Sequence, residues 1–281
     1  MNEQQELVLK AFLSRSPKNK QLERHLVEHE RAFLASLASF DDHTVLQKLS
    51  DEELFERVHW SWFLPTLKSF SAREQSFFLA ALSPTTAEQL KESLAFKGKI
   101  ETVTAIGRQF LREQLLFSIG GPGGKDLPSG AFCTSSLNQL LSLSKKQLTR
   151  LIDLLALYDL TIELRQIVET KILKKIYSVL TDEQKTVLKQ LGSQKESPAL
   201  ARLNLDRWNG DDEALRHLLH RRGLTRFSMA LSQCSADLIW SICHQLDIGR
   251  GTALFRLCNA ERGKVPSEEI AQQVLELLRF L

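Results

Sequence analysis

Ser71-Ala72-Arg73-Glu74, Ser144-Lys145-Lys146-Gln147 and Thr181-Asp182-Glu183-Gln184 decide the fold class. Each sets a hydroxyl three residues before a Glu or Gln. At that spacing the hydroxyl accepts from a free amide of the first helical turn, and the longer side chain reaches back to the cap amide. Ser50 and Glu53 repeat the pattern, and Ser83-Pro84 adds a start of the cap-then-proline kind. Leucines at helical spacing follow each start. Starts recurring this often predict a stack of short helices.

Working outward, the apolar periodicity predicts helices near 3–14, 19–39, 51–56, 58–69, 72–81, 84–95 and 98–117. Then Gly120-Gly121-Pro122-Gly123-Gly124-Lys125-Asp126 interrupts the pattern with a density of breakers that no helix survives. Helices resume near 135–142, 145–156, 159–166, 168–179 and 182–191. After a looser boundary at 192–210 they continue near 211–221, 224–231, 236–246, 251–259 and 267–280. Asp211 and Asp212 suit the positive end of the helix at 211–221, and Gly223 its stop. No alternating Val/Ile/Thr-rich run predicts a strand. The expected class is all-α: stacked short helical hairpins in the manner of armadillo or HEAT repeats, in two or three blocks. The expected organisation is an N-terminal helical block at 1–118, a Gly/Pro-rich linker at 119–134, a middle block at 135–192 and a C-terminal block at 200–281.

The 281 residues bury a substantial core, and 43% hydrophobic with 25% charged residues is ordinary for a globular protein. A net charge of +3 is too small to argue for nucleic acid or an anionic membrane. Cys133, Cys234, Cys243 and Cys258 are widely spaced among apolar neighbours, so free thiols in a reducing compartment are expected. The polar N-terminus does not read as a secretory signal. No window approaches the roughly 20 apolar residues that a membrane span requires.

Several patterns suggest chemistry. His25-Leu26-Val27-Glu28-His29 matches an inverted zinc-protease motif, but it lies in a densely charged segment with no convincing third ligand. The glycine-rich run lacks the strand and the Lys-Ser or Lys-Thr pair of a phosphate-binding loop. The spacings of Cys234, Cys243, His244 and Cys258 fit no usual metal set. Gly249-Arg250-Gly251-Thr252 reads as a tight interhelical turn. The expectation is no enzyme, no cofactor and no metal. By contrast, His59-Trp60-Ser61-Trp62-Phe63 puts two indoles on opposite sides of a predicted helix: either one is core and the other, partly exposed, is an interface anchor, or a neighbouring hairpin covers both. Arg216, His217, His220, Arg221, Arg222 and Arg226 form a basic edge, the basis of an alternative reading as a HEAT-like module for nucleic acid or a regulatory protein.

The stretch Leu137-Asn138-Gln139-Leu140-Leu141-Ser142-Leu143-Ser144-Lys145-Lys146-Gln147-Leu148-Thr149-Arg150-Leu151-Ile152, with Leu180-Thr181-Asp182-Glu183-Gln184 downstream, resembles the flagellar rotor switch family FliG. The segment from His59 to Leu94 is similar to that family's middle helical repeat. The resemblance implies a non-enzymatic structural adaptor of a type III secretion or flagellar basal complex, linking a membrane-ring protein to the cytoplasmic platform. It implies an interface around His59, Trp60, Trp62 and Phe63, and a hinge at Gly120, Gly121, Gly123 and Gly124. It also implies a charged ridge at Lys145, Lys146, Arg150 and Asp153. The partners implied are inner-membrane ring and export- or switch-platform proteins, with a homo-oligomeric ring as one assembly and no nucleic acid. The location implied is the cytoplasm, peripheral to the inner membrane through a partner.

Overall fold

Hydroxyl caps start half of the α-helices in the computed structural model, which describes residues 28, 46–48, 51–120, 131–133, 135–192, 202–205, 208–261 and 268–281. In chain order these are α1 (Asp51–Arg57), a 3₁₀ turn (Trp60–Trp62), α2 (Leu64–Lys68), α3 (Ala72–Ala80), α4 (Pro84–Ser93) and α5 (Ala105–Ile119). A second 3₁₀ segment (Ser136–Ser142) precedes α6 (Lys145–Leu164), α7 (Thr170–Val179), α8 (Asp182–Gly192) and α9 (Asp212–Leu231). Then come α10 (Ala236–Gln245), α11 (Ile248–Glu261), α12 (Glu268–Leu277) and a last 3₁₀ turn (Leu278–Phe280). The Ser71, Ser144 and Thr181 boxes form as expected, and Ser83 caps α4 ahead of Pro84. Ser50 lies outside the described residues.

Among the described residues the chain is all-α with one small exception. β1 (Leu46–Lys48) pairs antiparallel with β2 (Ala131–Cys133), Leu46 opposite Cys133 and Lys48 opposite Ala131. This ladder corrects the expectation of no strand, and β2 lies within the segment read as a linker. Strands of three residues are too short to display alternation, which is why the sequence hides them.

The core is organised by α6 and α9. Leu148, Leu151, Ile152, Leu154, Leu155, Ala156 and Leu157 are all buried, so α6 is apolar nearly all round and is covered by α8, α9 and α12. Each buried leucine contributes roughly 1.5–3 kcal/mol. A hairpin stack joins neighbours in sequence. Here the most extensive packing joins α6 to α9 across two intervening helices. Residues from all three expected blocks share one hydrophobic cluster, and α1 packs on both α5 and α10.

Two predicted breaks are absent. The segments at 145–156 and 159–166 are one helix, and Gly223 lies inside α9 instead of ending a helix. A Cβ on Gly223 would fall 1.8 Å from the Ile152 carbonyl oxygen, so this glycine permits close approach of α6 and α9. Asp159, inside α6, binds the fully buried Arg226 of α9 through two hydrogen bonds of 2.8 and 2.9 Å, and Gln273 accepts a third at 2.6 Å. The helix expected at 98–117 begins later, at Ala105. Ser76 of α3 donates to Lys99 O (2.8 Å) and accepts from Glu101 N (2.9 Å), holding that stretch out of the helix. Thr104 then caps α5.

Candidate functional site

The α5 helix carries more apolar surface than its packing uses. Leu115 and Leu116 are buried, yet Ile106, Phe110 and Phe117 stand 84%, 57% and 68% exposed. Positions four and seven apart share a helix face, so these three form one stripe. Grooves flank it. On the α3 side the lining includes Phe77, Phe78, Val103 and Phe110. On the α1 side a hollow of about 370 Å³ has Phe55 and Leu116 beside Arg108 and Arg112. The sequence reading did not single out this stripe. The signal was present, since α5 has apolar residues on two faces where a core-facing helix needs one.

The Trp60–Trp62 turn meets the C-terminal helices in a second, polar site. His59 N donates to His244 O (2.7 Å), Trp62 Nε1 to Leu246 O (2.9 Å), and Ile248 N to Ser61 Oγ (2.9 Å). His244 lies between the rings of Trp62 and Trp240, with centroids 4.1 and 3.9 Å away. Burial pushes its pKa down to about 4, against the opposing hydrogen bond to Trp240 O. A Cβ on Gly251 would come 2.2 Å from Cys243 O and 2.7 Å from the Trp62 ring, so this glycine too permits contact. The run 249–252 is the start of α11, stapled by Asp247 to Arg250 N at 3.1 Å, and not an interhelical turn.

The predicted interface residues meet one predicted ridge residue here. Lys145 Nζ lies 2.6 Å from His59 Nε2 and 3.9 Å from Asp247. The other ring nitrogen, Nδ1, lies 2.8 Å from Ser61 Oγ and accepts from Ser61 N at 3.3 Å. Burial first, then Lys145, pushes the His59 pKa down to about 4, which keeps the ring neutral. Burial also lowers Lys145 from its ordinary value. Burial opposes ionisation of Asp247, but the Arg250 amide and guanidinium and Lys145 together hold its carboxyl below the usual range.

Phe63 sits in the core, 1% exposed and stacked on Phe55, so it is not on the surface with the other three. Trp60 and Trp62 are both half-buried against the core, intermediate between one core with one exposed indole and two covered ones. A 3₁₀ turn, with three residues per turn, replaces the expected α-helix there. The remaining ridge residues lie at i, i+4 and i+7 on one face of α6: Lys146 is exposed, Arg150 pairs with Glu183, and Asp153 binds His220 Nδ1 at 2.6 Å. Gly120 caps α5 with φ +69°, and its carbonyl accepts from Trp240 Nε1 at 2.8 Å. Gly121, Gly123 and Gly124 lie outside the described residues, as do His25 and His29.

The basic edge is incomplete as well. Arg226 is buried, Arg222 lies 3.9 Å from Asp159, and Arg216 and Arg221 are exposed. Burial raises the Cys234 thiol to about 11 and Cys243 well above its ordinary value, so both are protonated at neutral pH. Among the described residues no cluster of three or more His, Cys, Asp or Glu is placed to hold a metal, and no helix is long and apolar enough to cross a membrane. Comparison with protein-family models, with curated proteins and with solved structures gives no match.

Proposed function

We propose that this protein is a non-enzymatic structural adaptor that docks partner proteins through α5. The exposed stripe of Ile106, Phe110 and Phe117 carries this reading. Large apolar side chains aligned on one face, with grooves on both sides, are the surface that an amphipathic helix of a partner recognises. The resemblance to FliG gives the setting: a type III secretion or flagellar basal complex, with an inner-membrane ring protein on one side and the cytoplasmic platform on the other.

The test is co-purification of tagged full-length protein from its native cells, read by mass spectrometry. Recovery of ring or export-platform proteins, lost on Phe110→Glu, supports the adaptor. Nucleic acid as the main recovered species, with binding that weakens steeply as salt rises, overturns it in favour of a nucleic-acid module.

A further inference from the structure

The His59–Lys145 contact forms one wall of a hollow of about 310 Å³, at the lower end of ligand-pocket sizes. The C-terminal end of α1, the Trp60 turn, the start of α6 and the end of α10 enclose it. Lys145 contributes an ammonium, Arg57 a guanidinium whose Nη1 donates to Leu141 O, and Trp60 a flat apolar side. Gln245 lines the same hollow. It is only 5% exposed, and its Oε1 is buried with no hydrogen-bond partner among the described residues. A buried amide oxygen left unpaired costs about 1–3 kcal/mol, and Gln245 Oε1 lacks a donor that an occupant of the hollow can supply.

We infer that this hollow receives a carboxylate side chain of a partner polypeptide, paired with Lys145 and Arg57, while an adjacent backbone N–H of the partner donates to Gln245 Oε1. The inference rests on the adaptor reading and adds the chemistry of a second contact. Three features select an acidic peptide over a free phosphate. Asp247 behind Lys145 already offsets part of the positive charge of the two cations, while Glu56 of the lining is paired with Arg112, so the site neutralises one further negative charge better than two. Gln245 Oε1 needs a donor, which a peptide backbone N–H supplies beside the carboxylate, whereas a phosphate has to turn its one P–OH group away from the cations to do so. Trp60 offers apolar area to the methylenes of a Glu side chain. The first backbone amides of the twenty-residue α6 add their positive end to the same wall.

The probes are N-acetyl-glutamate N-methylamide, its glutamine counterpart and inorganic phosphate, added separately to the full-length protein. Binding is read from the His59 ring and the Gln245 side-chain amide in proton–nitrogen correlation spectra. The expected result is saturable shifts with the glutamate derivative and binding roughly tenfold weaker with the glutamine derivative, the value of one charge-assisted hydrogen bond. Lys145→Gln and, independently, the isosteric Gln245→Glu should each abolish the saturation while the melting transition stays cooperative. Equal response to the glutamate and glutamine derivatives, tighter binding of phosphate than of either, or no saturable shift overturns the inference. Phe110→Glu lies outside the hollow and should bind the glutamate derivative like the unaltered protein. Failure of the α5 docking reading is therefore distinguishable from failure of this site.

Discussion

α9 and α5 use their residues in opposite ways. α9 buries even an arginine, Arg226, at 0% exposure, whereas α5 leaves a phenylalanine and an isoleucine mostly in water. Burying a charge requires a satisfied partner, and the two hydrogen bonds that Arg226 donates to Asp159, with the third it donates to Gln273, supply it. Exposing large apolar groups in line has no such local compensation. The contrast separates the helix that holds the molecule together from the helix available to another molecule.

The sharpest way to break this contrast is Asp159→Ala, which leaves the buried Arg226 guanidinium uncompensated. The expected loss is about 3–5 kcal/mol in chemical denaturation. A loss under 1 kcal/mol would mean that the pair is not the anchor of the α6–α9 packing. Gly223→Ala comes next, because its Cβ must push Ile152 O away from 1.8 Å. Overpacking of this kind costs typically 1–3 kcal/mol, and an unchanged midpoint would contradict the close approach.

The third test uses pH. Folding lowers His244 from 6.5 to about 4, so between those values the unfolded chain binds more protons than the folded one. Stability therefore falls as pH drops through that window, by about 3 kcal/mol for His244. His59 acts in the same direction. A melting temperature that is flat from neutral pH down to the lower end of the window would contradict the neutral, buried ring. The smallest effect is on the other side of the comparison. Phe110→Glu should change stability by no more than about 0.5 kcal/mol, as for surface positions generally.

The all-α class was legible because capping is local chemistry. Ser71, Ser144 and Thr181 form their boxes whatever packs around them. The failures involve partners distant in sequence. Gly223 looks like a helix stop until Ile152 is seen against it, and Arg226 looks like surface until Asp159 and Gln273 are seen around it. The His59–Lys145–Asp247 contact joins residues from all three expected blocks, and no spacing announces it. The α5 stripe is a different case, since Ile106, Phe110 and Phe117 lie at plain helical spacing. What the sequence lacks is the knowledge that the opposite face, through Leu115 and Leu116, already satisfies the core.

The most direct test of the central claim measures fold and docking together on Phe110→Glu. Its denaturation midpoint and its retention of ring or export-platform proteins from native cells are compared with those of the unaltered protein. The account predicts an unchanged midpoint and lost retention. Retention that persists at the unaltered level, or a midpoint that collapses with it, would contradict a docking role for α5.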